Sequence, residues 1–157
     1  AGVIFTSAFL FEEQVPPTFK WAKWPGMGEL IFGSFYTQVP GEKFLLAFHD
    51  RKRLVSAEHL EEVKRVMGQP GAVYAALETI RGMDYASYQA DYATLQLPAL
   101  IIWGAEDRVT PLRFGHRLSE ILRAAKFKVI EDCGHVPSIE APLQLSQYIL
   151  DFAGENS

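Results

Sequence analysis

The chain alternates between short, solidly apolar runs and longer stretches in which apolar residues recur every three or four positions. Three runs read as strands: residues 3–7 (VIFTS), 99–104 (ALIIWG) and 126–132 (KFKVIED). The first two are continuously apolar, the pattern of parallel strands covered on both faces. Helical spacing appears elsewhere. One helix is predicted from Ser56, whose hydroxyl suits an N-cap, with Leu60, Val63 and Met67 on one face. A second is predicted from Pro70, carrying Val73, Leu77 and Ile80 and stopping at Gly82. Pro111 is expected to open a third, with Leu118, Ile121 and Leu122 inward, and Pro142 a fourth, with Leu145, Ile149 and Phe152 on its stripe. Residues 9–48 are crowded with aromatics broken by Pro and Gly, and no period runs through them. There is no internal repeat, low-complexity tract or linker.

The order strand, helix, strand, helix in the C-terminal part predicts a βαβ unit, hence a parallel pair with a right-handed crossover. That geometry decides where chemistry can occur. Asp107 follows the second strand and His135 follows the third, so both loops leave the same edge of the sheet. Adjacent strands lie only ~4.8 Å apart. A carboxylate and an imidazole can therefore meet at the edge where α/β sheets bind ligands. Such a pair suits the rear half of a catalytic triad, in which the carboxylate fixes the imidazole tautomer and stabilises the imidazolium. A structural ion pair accounts for the spacing equally well.

Composition narrows the alternatives. The 157 residues suffice for one domain, and 48% hydrophobic with 22% charged residues is ordinary for a globular protein. A net charge of −4 without a basic stripe gives no reason to expect nucleic acid. The densest charge run, HDRKR (49–53), reads as a solvated loop. No apolar run approaches the ~20 residues of a membrane helix. The single cysteine, Cys133, precludes an intrachain disulfide and fits a reducing compartment, so a cytoplasmic location is expected. The histidines (His49, His59, His116, His135) have no ligand spacing, and neither metal nor cofactor is called for.

Two segments carry a specific resemblance: LPALIIWGAEDRVTP (97–111) and EDCGHVPSIEAP (131–142). Gly104, Asp107 and Pro111, then Gly134 and His135, followed by Pro137, Glu140 and Pro142, resemble the closing third of an α/β-hydrolase. The resemblance implies a parallel-sheet α/β core formed by residues 1–8 and 83–157, with residues 9–82 as a mostly helical cap. It implies Asp107 as acid and His135 as base. Trp21, Trp24, Phe32, Phe35 and Val136 are then expected to line a pocket for an apolar or aromatic small substrate. Glu106 is expected to face solvent, and Glu140 to be structural at the N-terminus of the last helix.

The family's nucleophile sits on a Gly-x-Ser-x-Gly elbow, and no such motif occurs among these residues. Ser7, Ser34 and Thr6 lack its glycines, and Cys133 lies too close in sequence to His135 to face it across a substrate. The expectation is a serine-type ester hydrolase whose nucleophile and oxyanion loop lie in an N-terminal half, on the same chain or a second one. The resemblance also fits epoxide hydrolases and haloalkane dehalogenases, with an Asp nucleophile, and C–C bond hydrolases. A non-catalytic fragment or interaction protein is the alternative from another class.

Overall fold

The structure, a computed structural model, describes residues 1–33 and 44–156. Three strands, β1 (Val3–Thr6), β2 (Ala99–Gly104) and β3 (Lys126–Ile130), form a parallel sheet in the order β1-β2-β3. Ile101 stands opposite Phe5 on one side and Phe127 on the other. β2 is buried at every position, which is why its sequence is apolar throughout. Its residues divide by parity between the two faces, as the pleat requires. Ala99, Ile101 and Trp103 join Leu10, Phe11, Phe114 and Leu118. Leu100 and Ile102 join Ile130, Leu145 and Phe152 on the other face.

β1 departs from the two-face expectation. Val3 and Phe5 are half-buried, whereas Ile4 and Thr6 are exposed, because β1 stands at the sheet edge with one face packed. β3 is the other edge, and its Lys126 and Lys128 alternate outward, a pattern that discourages edge pairing.

Between β1 and β2 the chain is largely helical: α1 (Pro17–Ala22), α2 (Met27–Ile31), α3 (Arg51–Leu54), α4 (Ala57–Met67), α5 (Ala72–Gly82) and α6 (Tyr85–Tyr92). Ser56 caps α4 as expected, accepting the His59 N–H, while the His59 ring accepts from the Ser56 N–H. α5 begins two residues after Pro70, because Pro70 and Gly71 form a turn with Gly71 at φ 86°. The run read as a charged loop, residues 49–53, instead leads into α3 and forms most of it, with Asp50 accepting the Arg53 N–H as its cap. α6 has no apolar stripe and was not anticipated. Its signal is Asp84, which caps it by accepting the Ser87 N–H.

Ala22, Phe32, Leu77 and Ile80 form a separate small core within this helical layer. After β2 come α7 (Arg113–Ile121), then β3, α8 (Pro137–Glu140) and α9 (Pro142–Glu155). Pro142 opens α9 at its first position, as predicted. Pro111 instead starts a preceding turn in which its carbonyl accepts the Phe114 N–H. No helix among the described residues is long and apolar enough to cross a membrane.

Candidate active site

The loops after β2 and β3 are stitched together at the C-terminal edge of the sheet. Ala105 N–H donates to the Ile130 carbonyl, and Glu106 N–H to the Cys133 carbonyl, both at 2.9 Å. Such an approach needs glycine at the end of β2. A Cβ on Gly104 would stand 2.1 Å from the Gly134 carbonyl oxygen and 2.4 Å from that of Cys133. The Gly-x-x-Asp spacing thus has a steric origin: the glycine admits the histidine loop, and the aspartate follows within its reach.

Asp107 Oδ2 lies 3.0 Å from His135 Nδ1, with the carboxylate fully shielded from solvent and the imidazole partly exposed. Oδ1 accepts the N–H groups of Val109 (2.9 Å) and Thr110 (2.8 Å). Oδ2 also accepts the Thr110 hydroxyl at 2.8 Å. Burial pushes the Asp107 carboxyl upward, but the hydrogen bonds from His135 and Thr110 and the imidazole charge outweigh it, holding the group below its ordinary value. An ionised carboxylate can only accept, so the neutral ring carries its proton on Nδ1. Nε2 then bears the free lone pair, and it has no hydrogen-bond partner among the described residues.

Glu140 holds the histidine loop. Its Oε1 accepts the N–H groups of Gly134 (2.8 Å) and Val136 (3.3 Å), and its Oε2 accepts that of His49 (2.7 Å). His135 N–H donates to the Ala47 carbonyl at 2.7 Å. The segment before α3 is therefore bonded directly to the loop bearing the imidazole. A Cβ on Gly134 would meet the Ala47 oxygen at 2.6 Å, so this glycine too is dictated by close approach. Glu140 is structural, as expected, but it serves this loop rather than the N-terminus of α9.

Of the aromatic residues expected at the pocket, Trp21, Trp24 and Phe32 make no ring contact with His135 among the described residues. Trp21 and Trp24 are 56% and 67% exposed, because short α1 and the turn after it turn them outward. Phe32 is buried within the helical layer's own core, tilted against Phe19 at 5.7 Å. Phe35 lies outside the described residues. Val136 is half-buried directly after His135, as the N-cap of α8. The ring that does stand at His135 is Phe9, edge-on at 6.4 Å between centroids, itself stacked on Tyr85 at 6.4 Å. Sequence reading missed Phe9 because nothing in the local pattern separates it from its aromatic neighbours.

It also missed Thr110, which is fully buried and bonded to the carboxylate. An Asp followed three residues later by Thr is a capping-type signal that could have found it. A cavity of about 310 Å³ lies beside Tyr85, Met83, Ile80 and Val15, and another of about 310 Å³ lies where Phe48, Leu54, Val55 and Val63 face Ile139. Asp107 and His135 line neither.

Cys133 is fully buried, and burial, then the charges of Glu140 and Asp107, push its thiol up to about 12. It is a packed residue without nucleophilic character at neutral pH. Among the described residues no three His, Cys, Asp or Glu side chains are grouped to hold a metal ion.

Sheet, crossover and loops together define a parallel α/β protein with a carboxylate–imidazole pair at the C-terminal strand edge. The family model described as the alpha/beta hydrolase fold matches residues 3–142, and the chain belongs to that family. A 2-hydroxy-6-oxononadienedioate/2-hydroxy-6-oxononatrienedioate hydrolase of Paraburkholderia phymatum is 43% identical over 77 residues, which is 49% of this chain and 27% of that protein. The monoacylglycerol lipase ABHD6 of Mus musculus is 28% identical over 76 residues, 48% of this chain and 23% of the relative. The solved meta-cleavage product hydrolase CumD of Pseudomonas fluorescens superposes with a TM-score of 0.74 at 23% identity, over 99% of this chain and 56% of that one. The chain thus spans about half the length of that solved structure and about a quarter of those two curated relatives.

Proposed function

We propose that this chain carries the acid and base of a serine-type hydrolase that attacks an acyl carbon, and that it acts on esters. The observation supporting this is the 3.0 Å bond between shielded Asp107 and His135, with Nε2 left unpartnered among the described residues. A serine hydroxyl, supplied by an N-terminal half on the same or a second chain, attacks the carbonyl. His135 Nε2 takes its proton and returns it to the leaving group. Asp107 keeps the proton on Nδ1 and stabilises the imidazolium. Phe9, edge-on to the ring, offers an apolar wall beside the reacting atoms, and Val136 stands next to the base. The lone, buried Cys133 agrees with a reducing compartment such as the cytoplasm.

The test uses the hydrolase containing this chain and p-nitrophenyl butyrate. His135→Ala should lower kcat/KM by about 10²–10⁴-fold, the usual contribution of a general base. Turnover within twofold of native would refute the assignment.

The relatives' names favour a second reading, hydrolysis of a C–C bond next to a carbonyl in a 2-hydroxy-6-oxo-dienoate. The same acid and base serve it. Turnover of such a dienoate, followed by loss of its absorbance, with no turnover of the ester would select it.

A further inference from the structure

The Thr110 hydroxyl sits among three partners at once. Oγ1 is 2.8 Å from Asp107 Oδ2, 3.2 Å from His135 Nδ1 and 3.2 Å from the Ser7 carbonyl oxygen at the end of β1. The residue is fully buried, so water does not compete for it. Its backbone is held as well: the N–H donates to Asp107 Oδ1, and the carbonyl accepts the Trp103 indole N–H at 2.6 Å. This rigid placement is more than the cap of a turn requires. We infer that Thr110 is a positioning residue that sets how strongly Asp107 stabilises protonated His135; the inference rests on His135 acting as the base.

A hydroxyl has one proton and here three polar neighbours. Nδ1 carries its own proton and can only donate, so the hydroxyl proton goes to Asp107 Oδ2 or to the Ser7 carbonyl. The shorter distance directs it to Asp107. Oδ2 then receives two donors, Nδ1–H and Oγ1–H, and each takes up part of the negative charge that the other would feel. Removing the hydroxyl leaves Nδ1–H as the sole side-chain donor to that oxygen. The carboxylate then stabilises the imidazolium more strongly, and the unprotonated form that acts as base is lost at a higher pH.

The other groups facing His135 do not replace this control. Glu140 reaches the loop through the N–H groups of Gly134 and Val136, and the segment before α3 contributes the neutral Ala47 carbonyl, with the half-buried His49 two residues on. His49 Nε2 is 3.9 Å from Asp132 on the outer side of the turn. Phe9 presents a ring edge, and Cys133 is an un-ionised thiol.

The experiment compares native, Thr110→Val and Thr110→Ser forms of the hydrolase containing this chain, as kcat/KM against pH with p-nitrophenyl butyrate. Thr110→Val should move the acid limb upward by about 0.5–1 pH unit. Thr110→Ser, which keeps the hydroxyl, should restore the native limb. A purely structural role would lower stability without moving the limb. The inference fails if the Thr110→Val limb superimposes on the native one, or if Thr110→Ser shifts as far as Thr110→Val. His135→Ala separates the two levels: activity in that variant refutes the base assignment itself, whereas its loss together with an unmoved Thr110→Val limb refutes only the role of Thr110. If Thr110→Val does not fold, Thr110→Ala and Thr110→Cys carry the same comparison, with a shifted limb expected in both and an unshifted one overturning the inference.

Discussion

At the scale of single residues, one carboxylate dominates. Asp107 is buried, ionised and saturated with donors, so its charge is bound to the fold as much as to the imidazole. Asp107→Asn keeps the shape but puts an amide where an acceptor must hold the Nδ1 proton. In the proposed hydrolase, kcat should fall about 10⁴-fold, the loss that follows a carboxylate-to-amide change in a Ser-His-Asp triad. The same group makes stability depend on acidity. Its pKa is lowered in the fold, so its contribution is fully present above the ordinary carboxylate value of about 3.9 and is lost as pH falls through the lower folded value. Urea unfolding should show the stability gap between native and Asp107→Asn closing as pH falls below about pH 4. A gap that keeps widening as pH falls below about pH 4 would contradict the direction of the shift. Cys133 gives the opposite expectation. With its thiol pushed up to about 12 and no exposed surface, it should resist iodoacetamide at pH 8 in the folded chain and react on addition of urea.

At the scale of elements, the site depends on two loops that approach more closely than side chains would permit. Gly104→Ala places a methyl about where the Gly134 and Cys133 carbonyl oxygens stand. Backbone must move, so stability should fall by about 3 kcal/mol, and turnover should fall with it because Asp107 and His135 are carried by those loops. Glu140→Ala removes the acceptor for three backbone N–H groups and should cost about 2–3 kcal/mol, with Glu140→Gln losing less. Denaturant midpoints of the three variants, compared with the native value, check both expectations. This part of the molecule was the most legible in the sequence, for a physical reason. β2 is buried on both faces and shows it in every residue, and α7 and α9 each present one apolar stripe to it. The motif glycines, aspartate and histidine are local consequences of loop closure. Thr110 and Phe9 were not legible, because their importance comes from what the fold places beside them rather than from neighbours in the chain.

At the scale of the whole molecule, the helical layer between β1 and β2 was read only in outline. Its short helices bury little surface each, and α6 has no periodic face, so tertiary contacts decide what the pattern leaves open. Trp21 and Trp24 illustrate this: large apolar side chains suggested a pocket, and a short helix turned them outward instead. The pair on which the proposed function rests, Asp107 and His135, is by contrast assembled within the chain, and what it can do unaided follows from the geometry. The base lone pair is on Nε2, while Ser7 is approached through Thr110 on the Nδ1 side of the ring. Among the described residues the Ser7 hydroxyl is buried without a hydrogen-bond partner, and Cys133 remains a thiol. Neither can meet the base across a substrate. The 157-residue chain alone should therefore release p-nitrophenol from p-nitrophenyl butyrate no faster than His135→Ala of the same chain. Supplying the N-terminal half, in cis or as a second chain, should bring turnover that depends on His135 and Asp107. A stoichiometric burst from the isolated chain, abolished by Ser7→Ala, Ser34→Ala or Cys133→Ala, would instead place the nucleophile within these residues and end the proposal that it comes from elsewhere.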